Sequence, residues 1–290
     1  MDLYIPNSAF IGNIEAFTNR LNLINENELK ITSNQKWISV HPLVISMIIA
    51  LEKEVRMNNG EIECEPFNAK SRPYFLRMGL IDALQPNHGI SIDEHESSGR
   101  FIQARQIKTS SELNDFITDM VPLLHTTAEQ AYPIKYVMSE LVRNVLEHSQ
   151  SPVGAIVSAQ YFNKTNRISI GVADRGIGVK EAINMSYSAQ THREAINLAL
   201  RPGVTGTTRK VGGTEYNAGA GLFFTKSIAK VSRDFFIVYS GDTFFKLKKT
   251  NAQKTVKLYA DPEQDSSTIK NGLPNWKGTA VGIDISMDIN

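Results

Sequence analysis

"SELVRNVLEHS", residues 139–149, carries Glu140, Asn144 and His148 one helical turn apart, while Val137, Leu141 and Val145 form an apolar row beside them at the same spacing. The Val and Leu row is built to pack. The row of carboxylate, amide and imidazole must face something polar, and the segments that follow it in the chain narrow what that is.

The first is "VADRGIGV" (172–179), where Asp174, Gly176 and Gly178 come straight after an apolar strand. Glycine there permits positive φ and close backbone approach. An ionised Asp only accepts hydrogen bonds, so it could receive the exocyclic amine of adenine, where guanine would present an oxygen. A strand-ending Asx turn is the alternative reading. The second segment is "NAGAGLFFTKSIAKVS" (217–232), in which Gly219 and Gly221, followed by Leu222, lead into an amphipathic helix. Backbone amides at such a helix start form an anion site suited to phosphates. The third is "KGTAVGIDI" (277–285), where Gly278 and Thr279 open a final strand.

Other signals set the context. "VGAIVSAQYF" and "RISIGVAD" flank the turn-like "NKTN" and predict a hairpin. "DFFIVYS" and "TFFKLKK" flank Gly241-Asp242, a two-residue turn signal for a second hairpin. Two helices precede these strands: "TSSELNDFITDMVPLLH", with a capping-box spacing from Thr109 to Glu112, and "AYPIKYVMSELVRNVLEHS" (131–149), with Pro133 early in it. Further upstream, residues 31–80 read as strand, helix, strand and short helix, with Pro42 suited to a first helical turn and Gly60 to a helix stop. Residues 85–110 are polar, contain Gly and Pro and hold at most one short strand, so the domain boundary is placed there, near Gly99.

The chain has 290 residues, 41% hydrophobic and 21% charged, long enough for two domains. It contains no apolar run of membrane-spanning length, and "MDLYIPNSAF" lacks the features of a secretory signal, so a cytoplasmic protein with no membrane partner is expected. Cys64 is the only cysteine, which excludes an internal disulfide and a cysteine-ligated metal cluster. The net charge of +1 shows no footprint for nucleic acid, and Lys246, Lys248, Lys249, Lys254 and Lys257 read as a solvated hairpin.

The order Glu-x-x-x-Asn on a helix, Asp-x-Gly-x-Gly after a strand, Gly-x-Gly before a helix and Gly-Thr on a last strand resembles the GHKL ATPases. This is the superfamily of the ATP-binding domains of DNA gyrase, heat-shock chaperones, histidine kinases and mismatch-repair proteins. The resemblance covers about residues 110–290. It implies an α/β fold: a two-layer α/β sandwich with a mixed sheet (the Bergerat ATP-binding fold), spanning residues 96–290, with a mobile lid at about 180–218. It also implies ATP and Mg²⁺ as ligands. Asn144 would be the metal ligand and Glu140 the catalytic general base. Asp174 would take the adenine amine, with Gly176 and Gly178 beside the base. Gly219, Gly221 and Leu222 would lie at the phosphates, and Thr279 would support the adenine contact. His148 lies where some members place a phosphate-proximal residue, with a hydrogen-bonded His near a helix end as the alternative. Arg201, Arg209, Lys210 or Lys226 would meet the γ-phosphate.

Residues 1–95 resemble, less specifically, a STAS-type domain, the fold of anti-sigma-factor antagonists. Those domains usually carry Asp-Ser-Ser or Asp-Ser-Thr at the helix start, whereas this chain reads "ISVHP". Ser39 is therefore a poor match for a phospho-acceptor, and a packing domain is expected. "SELVRNVLEHS" particularly resembles the anti-sigma-factor serine kinases, which pair with STAS domains. A sensor histidine kinase is disfavoured, because no earlier helix offers a phospho-acceptor His in a heptad pattern. A gyrase or mismatch-repair type is disfavoured because the sequence ends at Asn290, where those proteins continue into a transducer domain with a catalytic Lys. Two classes remain, an ATP-hydrolysing or phosphotransferring enzyme and a non-catalytic nucleotide-gated interaction module. Either implies a protein partner, a STAS-type protein or a second copy of the chain.

Overall fold

The computed structural model describes residues 1–86, 101–123, 127–204, 221–251, 253 and 255–287. The N-terminal unit runs β1 (Asp2–Ile5), β2 (Ser8–Ala9), α1 (Glu15–Thr18), β3 (Glu28–Ser33), β4 (Ser39–Val40), α2 (Pro42–Met57), β5 (Glu61–Cys64), α3 (Arg72–Arg77) and α4 (Leu80–Leu84). β1, β3 and β5 form a small parallel sheet, and β2 pairs with β4. The expected boundary near Gly99 lies outside the described residues.

The second part runs β6 (Phe101–Ile107), α5 (Ser110–Leu123), α6 (Ala128–Asn144), a π-helical segment (Val145–Ser149), β7 (Ala155–Phe162) and β8 (Arg167–Ala173). It continues with α7 (Gly178–Asn184), α8 (His192–Ala199), α9 (Gly221–Val231), β9 (Phe236–Gly241), β10 (Thr243–Leu247), β11 (Ser267–Lys270) and β12 (Trp276–Ser286). The protein is thus mixed α/β, with a seven-stranded sheet in the order β11-β10-β9-β12-β8-β7-β6. Every pairing in it is antiparallel, which corrects the expected mixed sheet; parallel pairing is confined to the small sheets. Both predicted hairpins form, β7–β8 and β9–β10, the latter through Gly241 at φ +61°. β12 inserts between β9 and β8, joining them into one sheet.

Alternation along the strands gives the sheet two buried faces. Val157, Ile170, Val172, Val238, Val281 and Ile283 face a core shared with α5, α6, α7, α8 and α9. Ile156, Ala173, Ile237, Tyr239 and Ala280 belong to a core shared with the N-terminal unit. The second face is covered by α2, so the expected two layers become three. α2 is apolar almost all round, with Leu43, Val44, Ile45, Met47, Ile48, Leu51 and Val55 buried, as a helix sandwiched between two sheets requires. Burying each such side chain contributes roughly 1.5–3 kcal/mol. α2 can sit this low because Gly171 of β8 has no side chain: a Cβ there would lie 2.2 Å from the Leu43 nitrogen.

The same interface is polar at defined points. Ser46 Oγ donates to the Gly171 carbonyl at 3.0 Å, and Ser158 Oγ donates to the Pro42 carbonyl at 2.9 Å. His41 caps α2, its Nδ1 accepting from the Leu43 N–H at 3.0 Å, so the proton sits on Nε2, which donates to Asp284 Oδ1 at 3.2 Å. Burial pushes the Asp284 carboxyl up, but His41, Ser169 and Arg167 outweigh it and hold it below its ordinary value. Among the described residues no helix is long and apolar enough to cross a membrane.

Candidate functional site

α6 supplies the polar row with which the sequence reading began. Ala131, Ile134, Val137, Met138, Leu141, Val142 and Val145 are buried against the sheet, while Glu140 and Asn144 are half-buried on the side facing α9. The helix starts earlier than expected, which leaves Pro133 inside it rather than in its first turn. α9 packs along α6, with the Phe224 ring edge-on to Tyr136 at 6.2 Å. Its first residue, Gly221, lies over the polar row: a Cβ there would come within 2.5 Å of Glu140 Oε2 and 3.5 Å of Asn144 Nδ2. Leu222 packs, partly buried, against the helical core. Gly219 and residues 205–218, with Arg209 and Lys210, lie outside the described residues.

Burial raises the Glu140 carboxyl above its ordinary value; Arg143, whose Nη1 lies 3.4 Å from Glu140 Oε1, opposes this and Glu147 adds to it. Asn144 makes no side-chain hydrogen bond to a described residue. Residues 145–149 wind as a π helix, with more residues per turn than α6. His148 lies within it, half-buried, and its Nδ1 is buried without a hydrogen-bond partner among the described residues.

The π segment brings Ser149 to the loop after β8. Its carbonyl accepts from the Ile177 N–H at 2.7 Å, and a Cβ on Gly176 would lie 1.9 Å from that same oxygen, so only glycine fits. Asp174 ends β8 and is almost completely buried. Its Oδ1 accepts from the Gly176 N–H at 2.7 Å and its Oδ2 from the Thr279 N–H at 3.2 Å, while its own N–H donates to the Thr279 carbonyl at 2.9 Å. Burial pushes its carboxyl up to about 7, against these hydrogen bonds and the charge of Arg175. Thr279 thus holds Asp174 through its backbone, and its hydroxyl makes no hydrogen bond to a described residue.

Gly178 adopts φ +81° and starts α7 beneath Ser240, whose Oγ accepts from the Val179 N–H at 2.9 Å and donates to the Gly278 carbonyl at 2.7 Å. Ser240 clamps the glycine loop to β12, a role the sequence did not reveal because a Ser inside an apolar strand carries no local signal. Arg175 was also missed. It is buried, its Nε donates to Glu54 Oε2 at 2.6 Å, and its guanidinium lies 4.7 Å from the Trp276 ring centroid.

Lys226 is not free to meet a phosphate. It is buried and its Nζ bonds Asp265 Oδ2 at 2.6 Å and the Tyr259 carbonyl at 3.2 Å, which removes it from the expected set. Arg201 reaches Asp261 at 3.4 Å and is half exposed. Within the expected lid, residues 180–204 include most of α7 and all of α8, whose Ala195 and Ile196 are buried, as is Leu200 after it. Lys246, expected on a solvated hairpin, is buried with its Nζ on Glu15 Oε1 at 2.6 Å.

The segments thus meet pairwise: Gly221 on Glu140 and Asn144, Ile177 on Ser149, and Thr279 on Asp174. Among the described residues no group of three or more His, Cys, Asp and Glu side chains is placed to hold a metal. A hard cation at Asn144 would thus draw most of its oxygens from its ligand and water, as Mg²⁺ does in phosphate sites. Compared with protein-family models and with curated proteins, the sequence matches neither.

Proposed function

We propose that this chain binds Mg-ATP in a GHKL-type site on a Bergerat-like fold and hydrolyses it, with nucleotide state coupled to closure of the expected lid at about 180–218 and to a protein partner. The observation that carries the reading is the buried Asp174 carboxylate. It is held by two backbone N–H groups at the end of β8, in a loop that also hydrogen-bonds Ser149, the last residue of the π segment after α6. Each of its oxygens accepts one backbone N–H and keeps a further acceptor position, which the amine of adenine would fill.

The remaining residues fit the rest of the nucleotide. Gly221 and, by the resemblance, Gly219 would present helix-start amides to the phosphates. Asn144 would hold Mg²⁺ through its amide oxygen, and the cation would neutralise phosphate charge. Glu140, raised by burial and still within reach of solvent, would take the proton of the attacking water. His148 Nδ1 is a further donor or acceptor for phosphate. A partner's Ser hydroxyl in place of water would make the same site a protein kinase of the partner-switching type. The N-terminal unit, STAS-like in its strand-helix-strand order, would then be its docking or regulatory arm.

Incubation with γ-labelled ATP tests this. Free phosphate that disappears in Glu140→Ala, and ATP binding that disappears in Asp174→Asn, are the expected results. Equal turnover by the wild type and Glu140→Ala would sink the catalytic reading. Label on a partner's Ser would decide for the kinase.

A further inference from the structure

We infer that Glu54 of α2 is a positioning residue for the base-binding end of the site, through which the N-terminal unit sets how Asp174 is held. The inference rests on the nucleotide reading above. Glu54 lies far from every motif in sequence and its side chain is 3% exposed. Its two oxygens take different partners: Oε2 accepts from Arg175 Nε at 2.6 Å, and Oε1 accepts from Lys277 Nζ at 3.0 Å. Arg175 follows Asp174 directly, and Lys277 directly precedes Gly278 and Thr279.

These two segments are the ones between which Asp174 is gripped. The Asp174 and Thr279 backbones pair, and Gly278, at φ +92°, lies so close that a Cβ there would come within 2.4 Å of the Asp174 carbonyl oxygen. One carboxylate on a helix of the N-terminal unit therefore staples both arms of the base acceptor. Among the described residues Glu54 is the one carboxylate in ion-pair reach of Arg175, whose side chain is 1% exposed, packed on Trp276, with Nη1 buried and unpartnered among those residues. Lys277 is half exposed and also reaches Glu26 at 3.7 Å, so the Arg175 arm carries the constraint. A buried guanidinium deprived of its carboxylate does not stay in place. Because Arg175 adjoins Asp174 in the chain, its movement moves the acceptor. By reciprocity, a ligand that fixes Asp174 steadies α2.

The test is Glu54→Gln in the full chain, with folding checked by circular dichroism and nucleotide affinity measured by calorimetry well below the unfolding temperature. Its Kd for ATP is expected to rise about tenfold, a typical coupling between linked sites. The preference for ATP over GTP is expected to shrink with it, since the disturbed group is the one that reads the base. In a Trp37→Phe background, Trp276 is the sole tryptophan. ATP is expected to change its emission in the otherwise wild-type chain and much less after Glu54→Gln. If Glu54→Gln does not fold, Glu54→Asp, which keeps the charge on a shorter arm, is read the same way. A wild-type chain that binds no ATP overturns the nucleotide reading and this inference together. Binding that Asp174→Asn abolishes but the folded Glu54 variant leaves unchanged overturns this inference alone.

Discussion

Gly221 and Glu140 touch: the first residue of α9 leaves less room than a methyl group needs before the Glu140 carboxylate, 2.5 Å from where a Cβ would stand. The helix start expected at the phosphates and the side chain expected to act as base are therefore neighbours, although 81 positions (221 minus 140) separate them in the chain.

Gly221→Ala should separate folding from turnover. The atom in the way is the far end of a flexible side chain, so Glu140 swings aside at little cost, and Ala is a better helix former than Gly. Stability to urea is expected to change by less than about 1 kcal/mol, while ATP turnover falls at least about tenfold because the base is displaced. Turnover at the wild-type level would show that Glu140 is not used where it stands.

Glu140 should also set the pH dependence of that turnover. A base acts when ionised, so activity rises with pH through the pKa of Glu140, which burial holds above its ordinary value. Arg143 opposes that rise, so Arg143→Met is expected to move the acid limb of the rate profile to higher pH. Glu140→Gln is expected to leave ATP affinity within about threefold and lower turnover by about 10²–10⁴. Steady-state rates between pH 5 and 9, taken as roughly the range over which shifted carboxyls titrate, check both.

Nucleotide affinity should carry the titration of Asp174. Its carboxyl is pushed up to about 7 by burial, and only the ionised form accepts an amine hydrogen bond through both oxygens. Binding below that pH must first release a proton, so Kd is expected to rise about tenfold for each pH unit below about 7 and to level off above it. Calorimetry in buffers of different ionisation enthalpy would reveal the released proton. A flat affinity from pH 5 to 8 would exclude Asp174 from the contact.

His41→Ala should loosen the N-terminal unit from the sheet. The change removes the cap of α2 and leaves Asp284 buried beside Ser169. Losing the hydrogen bond from a neutral imidazole to a buried carboxylate costs about 1.5–3 kcal/mol, which equilibrium unfolding in urea would measure at pH 7. The folded pKa of Asp284 is depressed. The stability it contributes is therefore present above its unfolded pKa and is lost as pH falls through the folded one. The gap between wild type and variant is thus expected to narrow in acid.

The sequence alone determined what depends on near neighbours. The apolar row Val137, Leu141 and Val145 repeats with the helix, and it is buried. Gly241-Asp242 forces a two-residue turn, and β9 and β10 pair around it. Pro42 starts a helix and Thr109 with Glu112 closes a capping box, Glu112 Oε2 accepting from the Thr109 N–H at 3.1 Å. Asp174 and Gly176 were legible as a unit because the turn joining them is two residues long.

What only the tertiary structure decided depends on pairs far apart in the chain. The short edge strand β11 and the insertion of β12 between β9 and β8 have no local signal, since strand order is set by which apolar faces must be covered. The π winding of residues 145–149 also lies beyond periodicity; its last residue, Ser149, accepts from the Ile177 N–H, a partner distant in the chain. Glu54 and Arg175 stand 121 positions apart, and each alone reads as a surface charge. Packing α2 into the hollow over Gly171 buries both, and burial is what turns two ordinary charges into a fixed pair.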